Sequence, residues 1–239
     1  MLAILDLFTL EHPVWSPDAI CDRLGCSRPT GYRYIKELVD AGLLQKTGAA
    51  RYAMGKRIIQ LDYEMRQSDP VLVASMGVMA DLAQRIGFTV VLSAMFGDQV
   101  IDIHHAGQPP DELPFAYARG KPRPLFSGAA PKVILPSLPR ATLVRLYRTH
   151  HQKIAASGLG ETWVAFRRHL ASIRKDGFYL SLGELGPNIA GAAVPVYNNE
   201  GDVLAALAAG GSVREMERVD IAKLRAELFS AEAHIRARL

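Results

Sequence analysis

Cysteine is scarce in this 239-residue chain: Cys21 and Cys26 are the only two. That is too few for a disulfide framework. No third or fourth ligand sits near them, so a zinc finger is not expected either, and buried thiols are the ordinary reading. Long apolar runs are also missing. The longest stretch without a charge, Leu185–Asn199, is broken by Gly186, Pro187 and Asn188, whereas a membrane-crossing helix needs about 20 mostly apolar residues. The opening MLAILDLFTL has no basic segment, carries Asp6 and lacks a small-residue cleavage site. It does not read as an export signal, and a cytoplasmic protein is expected. No G-x-S-x-G elbow, H-E-x-x-H, phosphate-binding loop or G-x-G-x-x-G is present. An enzyme is therefore not expected, nor a cofactor or a metal. The pairing of Asp102 with His104 on one strand face is the best metal-ligand geometry available, and a polar strand edge accounts for it equally well.

The first 22 residues also lack Lys and Arg, while holding Asp6, Glu11, Asp18 and Asp22. The next 35 reverse this. Arg23, Arg28, Arg33, Lys36, Lys46, Arg51, Lys56 and Arg57 are opposed only by Glu37 and Asp40. A short, dense basic segment in a chain without membrane spans suggests a polyanionic partner, because Lys and Arg gain by displacing phosphate counterions.

The local signals in this segment are ordered. Leu2, Ile4, Leu5 and Phe8 cluster on one side of a helix over about Leu2–Leu10, which His12-Pro13 ends. Ser16 caps a second helix with Pro17 at its first position and Asp18 in its first turn. Gly25 supplies a tight turn, and Ser27 caps a third helix running to Ala41, ended by Gly42. Tyr32, Ile35, Leu38 and Val39 are expected on its inner face, with Arg28, Thr30, Arg33 and Glu37 outward. Gly31 costs that helix roughly 1 kcal/mol of propensity unless its smallness serves a close approach to DNA or to the second helix. Two short extended runs, Leu43–Lys46 and Arg51–Met54, then form a basic hairpin. Helix, turn, helix and hairpin in this order describe a winged helix-turn-helix over residues 1–55, whose third helix fits the major groove of double-stranded DNA. The candidate DNA contacts are Ser27, Arg28, Pro29, Thr30, Arg33, Tyr34, Lys46 and Arg51.

Beyond residue 70 the pattern is mixed. A helix is expected from Pro70 to about Ile86, strands near 88–95 and 99–105, and a proline-rich loop over 107–125. Helices follow at about 127–137, 139–150 and 161–175, with His150 and His151 ending the second of these. Strands follow at 178–182, 189–197 and 203–209, with a turn at Asn198-Asn199-Glu200-Gly201, and a last helix at 214–238. Antiparallel hairpins with flanking helices make an α+β layered domain.

The run from Gly25 to Leu61, GCSRPTGYRYIKELVDAGLLQKTGAARYAMGKRIIQL, resembles the DNA-binding end of the IclR family of bacterial transcriptional regulators. The likeness continues through LFSGAAPKVILPSLP. It continues again through a G-[FY]-x-x-S-x-x-E pattern at Gly177, Phe178, Ser181 and Glu184, followed by Pro195 and Val196. The resemblance implies a linker helix at 56–69 and a GAF-like mixed or antiparallel sheet domain at 70–239 that binds a small-molecule effector and mediates oligomerisation. It also implies a DNA-binding repressor or activator that is a homodimer or a dimer of dimers, as befits a two-fold reader of an inverted repeat. A DNA-binding protein without an effector is the alternative, followed by an enzyme of unrecognised type.

By position, the resemblance puts Ser181, Glu184, Gly191, Ala208 and Gly210 at the effector. Gly191, Ala208 and Gly210 offer no polar side chain, so a compact carboxylate would lack partners once desolvated. A larger, more apolar effector is expected, such as an aromatic acid. Ser127, Ser181 and backbone N–H groups near Gly128 or Gly191 would anchor its polar end, with Tyr117 and Phe126 packing on its ring.

Overall fold

The computed structural model describes residues 1–48, 50–108 and 119–239. The chain divides into two compact units, Met1–Asp69 and Pro70–Leu239.

In the first unit, Leu2–Leu7 is a 3-10 helix rather than the longer α-helix expected. Its start has no side-chain cap. Its end is turned away by reciprocal hydrogen bonds between Thr9 and His12, which leave Leu10 in solvent. Helix α1 (Pro17–Leu24) begins as predicted, with Ser16 accepting from the Ala19 N–H. Gly25 closes it in the left-handed conformation, φ 63°. Helix α2 (Arg28–Asp40) starts after Ser27, but the Ser27 hydroxyl donates to Thr30 Oγ1 instead of capping the backbone. Ile35 and Leu38 join Ile4, Ile20 and Leu44 in a small core, with Val39 packed against it. Tyr32, expected in that core, is exposed; the buried face at that turn belongs to Gly31. Strands β1 (Leu44–Thr47) and β2 (Arg51–Met54) form the hairpin, pairing Lys46 with Tyr52 and Thr47 with Arg51. A bridge between Tyr52 and Trp15 ties the hairpin back to the segment ahead of α1. Helix α3 (Arg57–Ser68) follows. It buries no residue and leaves Ile59, Leu61, Tyr63 and Met65 exposed.

The second unit is a six-stranded sheet with helices on both faces. Helix α4 (Pro70–Ile86) precedes β3 (Thr89–Phe96) and β4 (Gln99–Ala106). The segment expected to be all loop contains a short strand, β5 (Pro122–Arg123), paired with β4. Helix α5 (Ala129–Ile134) tightens into a 3-10 turn at Leu135–Ser137. Helix α6 (Arg140–Ala156) runs six residues past its expected end. His150 and His151 therefore lie inside it, with His150 at a kink (φ −129°, ψ 23°). Helix α7 (Trp163–Asp176) leads into β6 (Tyr179–Leu182), β7 (Ile189–Tyr197) and β8 (Val203–Ser212). The single terminal helix expected is two: α8 (Val213–Met216), opened by a capping box of Ser212 and Glu215, and α9 (Ile221–Arg236), capped by Asp220.

The strand order is β5-β4-β3-β8-β7-β6, antiparallel at every pairing. Period-two alternation sorts each strand between two cores. Val90, Leu92, Ala192, Val194, Leu207 and Ala209 pack under α4 and α9 with Met79, Leu82, Leu224 and Leu228. Ala193, Ala206 and Ala208 face α5, α6 and α7 with Val133, Leu146, Phe166 and Leu170.

Candidate nucleic-acid interface and ligand pocket

Every residue singled out on the third helix and the hairpin reaches the surface of the first unit. Ser27, Arg28, Pro29, Arg33, Lys46 and Arg51 are exposed, and Thr30 and Tyr34 are half-buried. The Arg33 guanidinium lies 5.4 Å from the centre of the Tyr34 ring. Arg28 Nε sits 3.1 Å from Asp18 Oδ1, on α1. Both partners are well exposed, so this pair adds little stability. Its effect is to hold Arg28 at the start of α2, where a helix laid in a groove meets base edges.

The close approach that excuses Gly31 is to α1. A Cβ on Gly31 would stand 2.2 Å from Cys21 Sγ and 3.4 Å from Cys26 Sγ. The missing side chain thus lets the two helices touch.

In the second unit, a small, narrow pocket with a cavity volume of about 40 Å³ opens over the sheet face beneath α5. Gly128, Ser181, Gly191, Ala208 and Gly210, five of the expected effector contacts, line it together, with apolar walls from Val91, Ala129, Pro131, Leu185 and Ile189. Ala129 covers the floor closely: its Cβ would lie 3.8 Å from a Cβ placed on Gly191.

Phe126, Ser127 and Glu184 do not line this pocket. Phe126 is buried in the core beside α6, 5.8 Å from the His150 ring, and with Ser127 it lines a separate recess against α6. Tyr117 falls outside the described residues. Glu184 is occupied: it accepts from the Gly128 N–H at 2.9 Å and from the Tyr179 hydroxyl at 3.0 Å, and stands 2.8 Å from Lys132 Nζ. The Gly128 N–H is therefore not available to anchor a ligand.

Sequence reasoning missed the pocket's charged end. Asp102 is 1% exposed; it accepts from Ser93 Oγ at 2.8 Å and from Arg123 Nε at 2.9 Å. All three residues line the pocket. Arg123 brings a cation from β5 to this end of the pocket, where Asp102 already pairs with it. The pairing of Asp102 with His104 on one face fails. A register shift in the β3–β4 ladder sets Asp102 opposite Ser93 and His104 opposite Leu92. Adjacent residues of β3 point to opposite faces, and so do their partners. Signals for this site were present: Ser93 is a hydroxyl in an otherwise apolar strand, and Lys132 is the lone cation in an apolar helical segment.

Lys132 is 2% exposed, and its ammonium is fully engaged. It donates to the Ser157 carbonyl at 3.0 Å and to the Tyr179 hydroxyl at 2.9 Å, beside Glu184. Burial pushes the Tyr179 phenol above its ordinary range, opposed by Lys132. This network ties α5 to the end of α6, to β6 and to the loop after it.

Among the described residues no helix is long and apolar enough to cross a membrane.

Comparison with known proteins agrees with this geometry. Residues 1–48 match the model of the IclR helix-turn-helix domain, and residues 65–237 that of the bacterial transcriptional regulator IclR C-terminal domain. The chain is 25% identical over 232 residues to the HTH-type transcriptional regulator XynR of Escherichia coli (strain K12), covering 96% of this chain and 91% of that one. It is similar to the crystal structure of an IclR-type regulator from Alicyclobacillus acidocaldarius (TM-score 0.76, 23% identity, 99% of this chain and 95% of that chain). It is also similar to an IclR homologue from Microbacterium hydrocarbonoxydans complexed with 4-hydroxybenzoate (TM-score 0.77, 18% identity, 100% and 96%). With the helix-turn-helix model matched at one end and the C-terminal model over most of the chain, this protein belongs to the IclR family of bacterial transcriptional regulators.

Proposed function

We propose that this protein is a ligand-responsive transcription regulator that reads an inverted-repeat operator as a homodimer and senses a small aromatic or otherwise apolar acid. The carrying observation is the pocket over β7 and β8. Its small-residue floor and apolar walls give it an apolar character, and the buried Arg123–Asp102 pair with Ser93 gives one end a polar, charged character. The 4-hydroxybenzoate held by the structurally similar homologue is a molecule of this class.

On the DNA side, Arg28, Thr30 and Arg33 reach solvent from the first half of α2, and Lys46 and Arg51 reach it from the hairpin. One such helix contacts only a few base pairs, so specificity calls for two. Exposed Ile59 and Tyr63 on one face of α3, and Leu61 and Met65 on another, offer apolar surface to a second copy. An effector can change operator affinity only if it prefers one arrangement of the dimer.

The test is operator binding by fluorescence anisotropy on DNA flanking the protein's own gene, with and without 4-hydroxybenzoate. Arg33→Ala should weaken binding by about 5- to 150-fold, the equivalent of 1–3 kcal/mol for a base contact, without changing the melting temperature. Normal operator binding by Arg33→Ala would remove α2 as the reader. A pocket that takes neither 4-hydroxybenzoate nor related aromatic acids would remove the effector class and leave the DNA reading standing.

A further inference from the structure

Cys21 lies in the last turn of α1, and Cys26 in the turn that joins α1 to α2. The Cys26 N–H donates to the Cys21 carbonyl at 3.1 Å, and the Gly25 N–H to the Asp22 carbonyl at 3.3 Å, around the left-handed Gly25. This paired closure of a helix end characteristically brings the side chains of its first and last residues together, here the two cysteines. Gly31 on α2 supplies the space they use: both sulfurs crowd the position where its Cβ would be. Cys21 is buried and Cys26 half-buried. A disulfide needs Cα atoms within about 7 Å with their side chains converging, and the backbone hydrogen bond between these same two residues keeps them in that range.

We propose that Cys21 and Cys26 are a reversible dithiol–disulfide pair, an oxidation site built into the turn that positions the reading helix. The oxidant is a hydroperoxide. Cys26, the sulfur that solvent reaches, attacks the peroxide oxygen. It becomes a sulfenic acid, and the peroxide is reduced to water or an alcohol. Cys21 then attacks the Cys26 sulfur, the S–S bond forms, and the hydroxyl leaves with the Cys21 proton as water. Burial holds the Cys21 thiol above the usual thiol range, which disfavours it as the sulfur that meets the peroxide first. Closing the bond re-seats both sulfurs at the position where α2 rests against α1, three residues from Arg28.

The experiment treats the full-length reduced protein with hydrogen peroxide at low molar excess and maps the products by mass spectrometry. Trypsin cuts after Arg23, between the cysteines, so the disulfide appears as two linked peptides that dithiothreitol separates. The expected result is loss of both thiols per chain without covalent dimers. Operator affinity should fall at least tenfold and recover on reduction, and the peroxide response should be absent in Cys26→Ser and in Cys21→Ala. Overoxidation of Cys26 alone, or cross-linked dimers, would overturn the proposal. A disulfide that leaves operator affinity unchanged would overturn its regulatory half. The DNA readout rests on α2 being the reader, which Arg33→Ala tests separately; the thiol count does not.

Discussion

Replacing Gly31 by alanine sets two well-defined effects against each other. In an exposed helix interior the change stabilises by about 1 kcal/mol through propensity. Here the added methyl would sit 2.2 Å from Cys21 Sγ, 3.4 Å from Cys26 Sγ and 3.6 Å from Cys21 Cβ. The first distance is far inside a normal contact, and the other two close off the directions in which the methyl could shift. Overpacking of this kind costs about 1–3 kcal/mol, so Gly31→Ala should destabilise the first unit by roughly 1–2 kcal/mol net. Removing the sulfur reverses the sign. In a Cys21→Ala background the nearest α1 neighbour becomes a Cβ at ordinary contact distance, and Gly31→Ala should stabilise by about the full 1 kcal/mol. The cycle can be measured by urea denaturation in a Trp163→Phe background. Fluorescence then reports Trp15 alone, which packs on the core of the first unit and donates to the Leu7 carbonyl at 2.9 Å. Equal effects of Gly31→Ala with and without the Cys21 sulfur would refute the close approach of α2 to α1.

Three other outcomes are expected. Lys132→Met keeps the volume but leaves Glu184 without its cation, and should cost about 3 kcal/mol; Lys132→Met/Glu184→Gln should recover part of this, both read from Trp163 in a Trp15→Phe background. Ser212 holds the Glu215 carboxyl below its ordinary value, so its stabilisation is present above the unfolded pKa and lost as pH falls through the depressed folded value. Relative to Glu215→Gln, the wild type should therefore lose stability as pH drops below the usual carboxylate range in acid denaturation. Ala208→Val adds methyls to the pocket floor; thermal shift with 4-hydroxybenzoate should then shrink or vanish, while operator binding without ligand stays unchanged.

The elements of the first unit were legible because each is marked by local chemistry. Ser16-Pro17, Gly25 and Gly42 delimit helices through caps and left-handed turns that need no tertiary information. Tyr32 was misplaced for a reason of the opposite kind. Periodicity weighs a large apolar residue toward the core, whereas contact with α1 is decided by the absence of a side chain at Gly31. In the second unit the small residues of β7 and β8 announced a face with room above it. Asp102 was not legible as part of that face. Its side is set by a register shift against β3, and its partner Arg123 comes from a two-residue strand too short to leave a pattern. The break between α8 and α9 was equally hidden, since Glu215 and Asp220 read as ordinary surface acids until they are seen capping two separate helices.

The persistence of the pocket follows from how α5 is held. On the opposite face of the sheet, Met79 and Leu82 of α4 and Leu224 and Leu228 of α9 pack over small residues such as Ala192 and Ala209. Over Gly191, Ala208 and Gly210 the nearest helix presents Ala129 and Ala130, short side chains that leave only a narrow opening. Apolar collapse would draw such a helix down onto the sheet, because closing an empty space recovers both transfer and dispersion energy. Two features oppose that descent. Leu185 packs against Gly128 so closely that a Cβ there would lie 2.9 Å from it. The Lys132 ammonium joins Ser157, Tyr179 and Glu184, and lowering α5 would stretch buried, charge-assisted hydrogen bonds whose loss outweighs the apolar gain. Glu184 also holds the Gly128 N–H at the start of α5, so the same carboxylate fixes the height of the helix and the edge of the opening. The cavity is thus a consequence of buried polar geometry as much as of small residues.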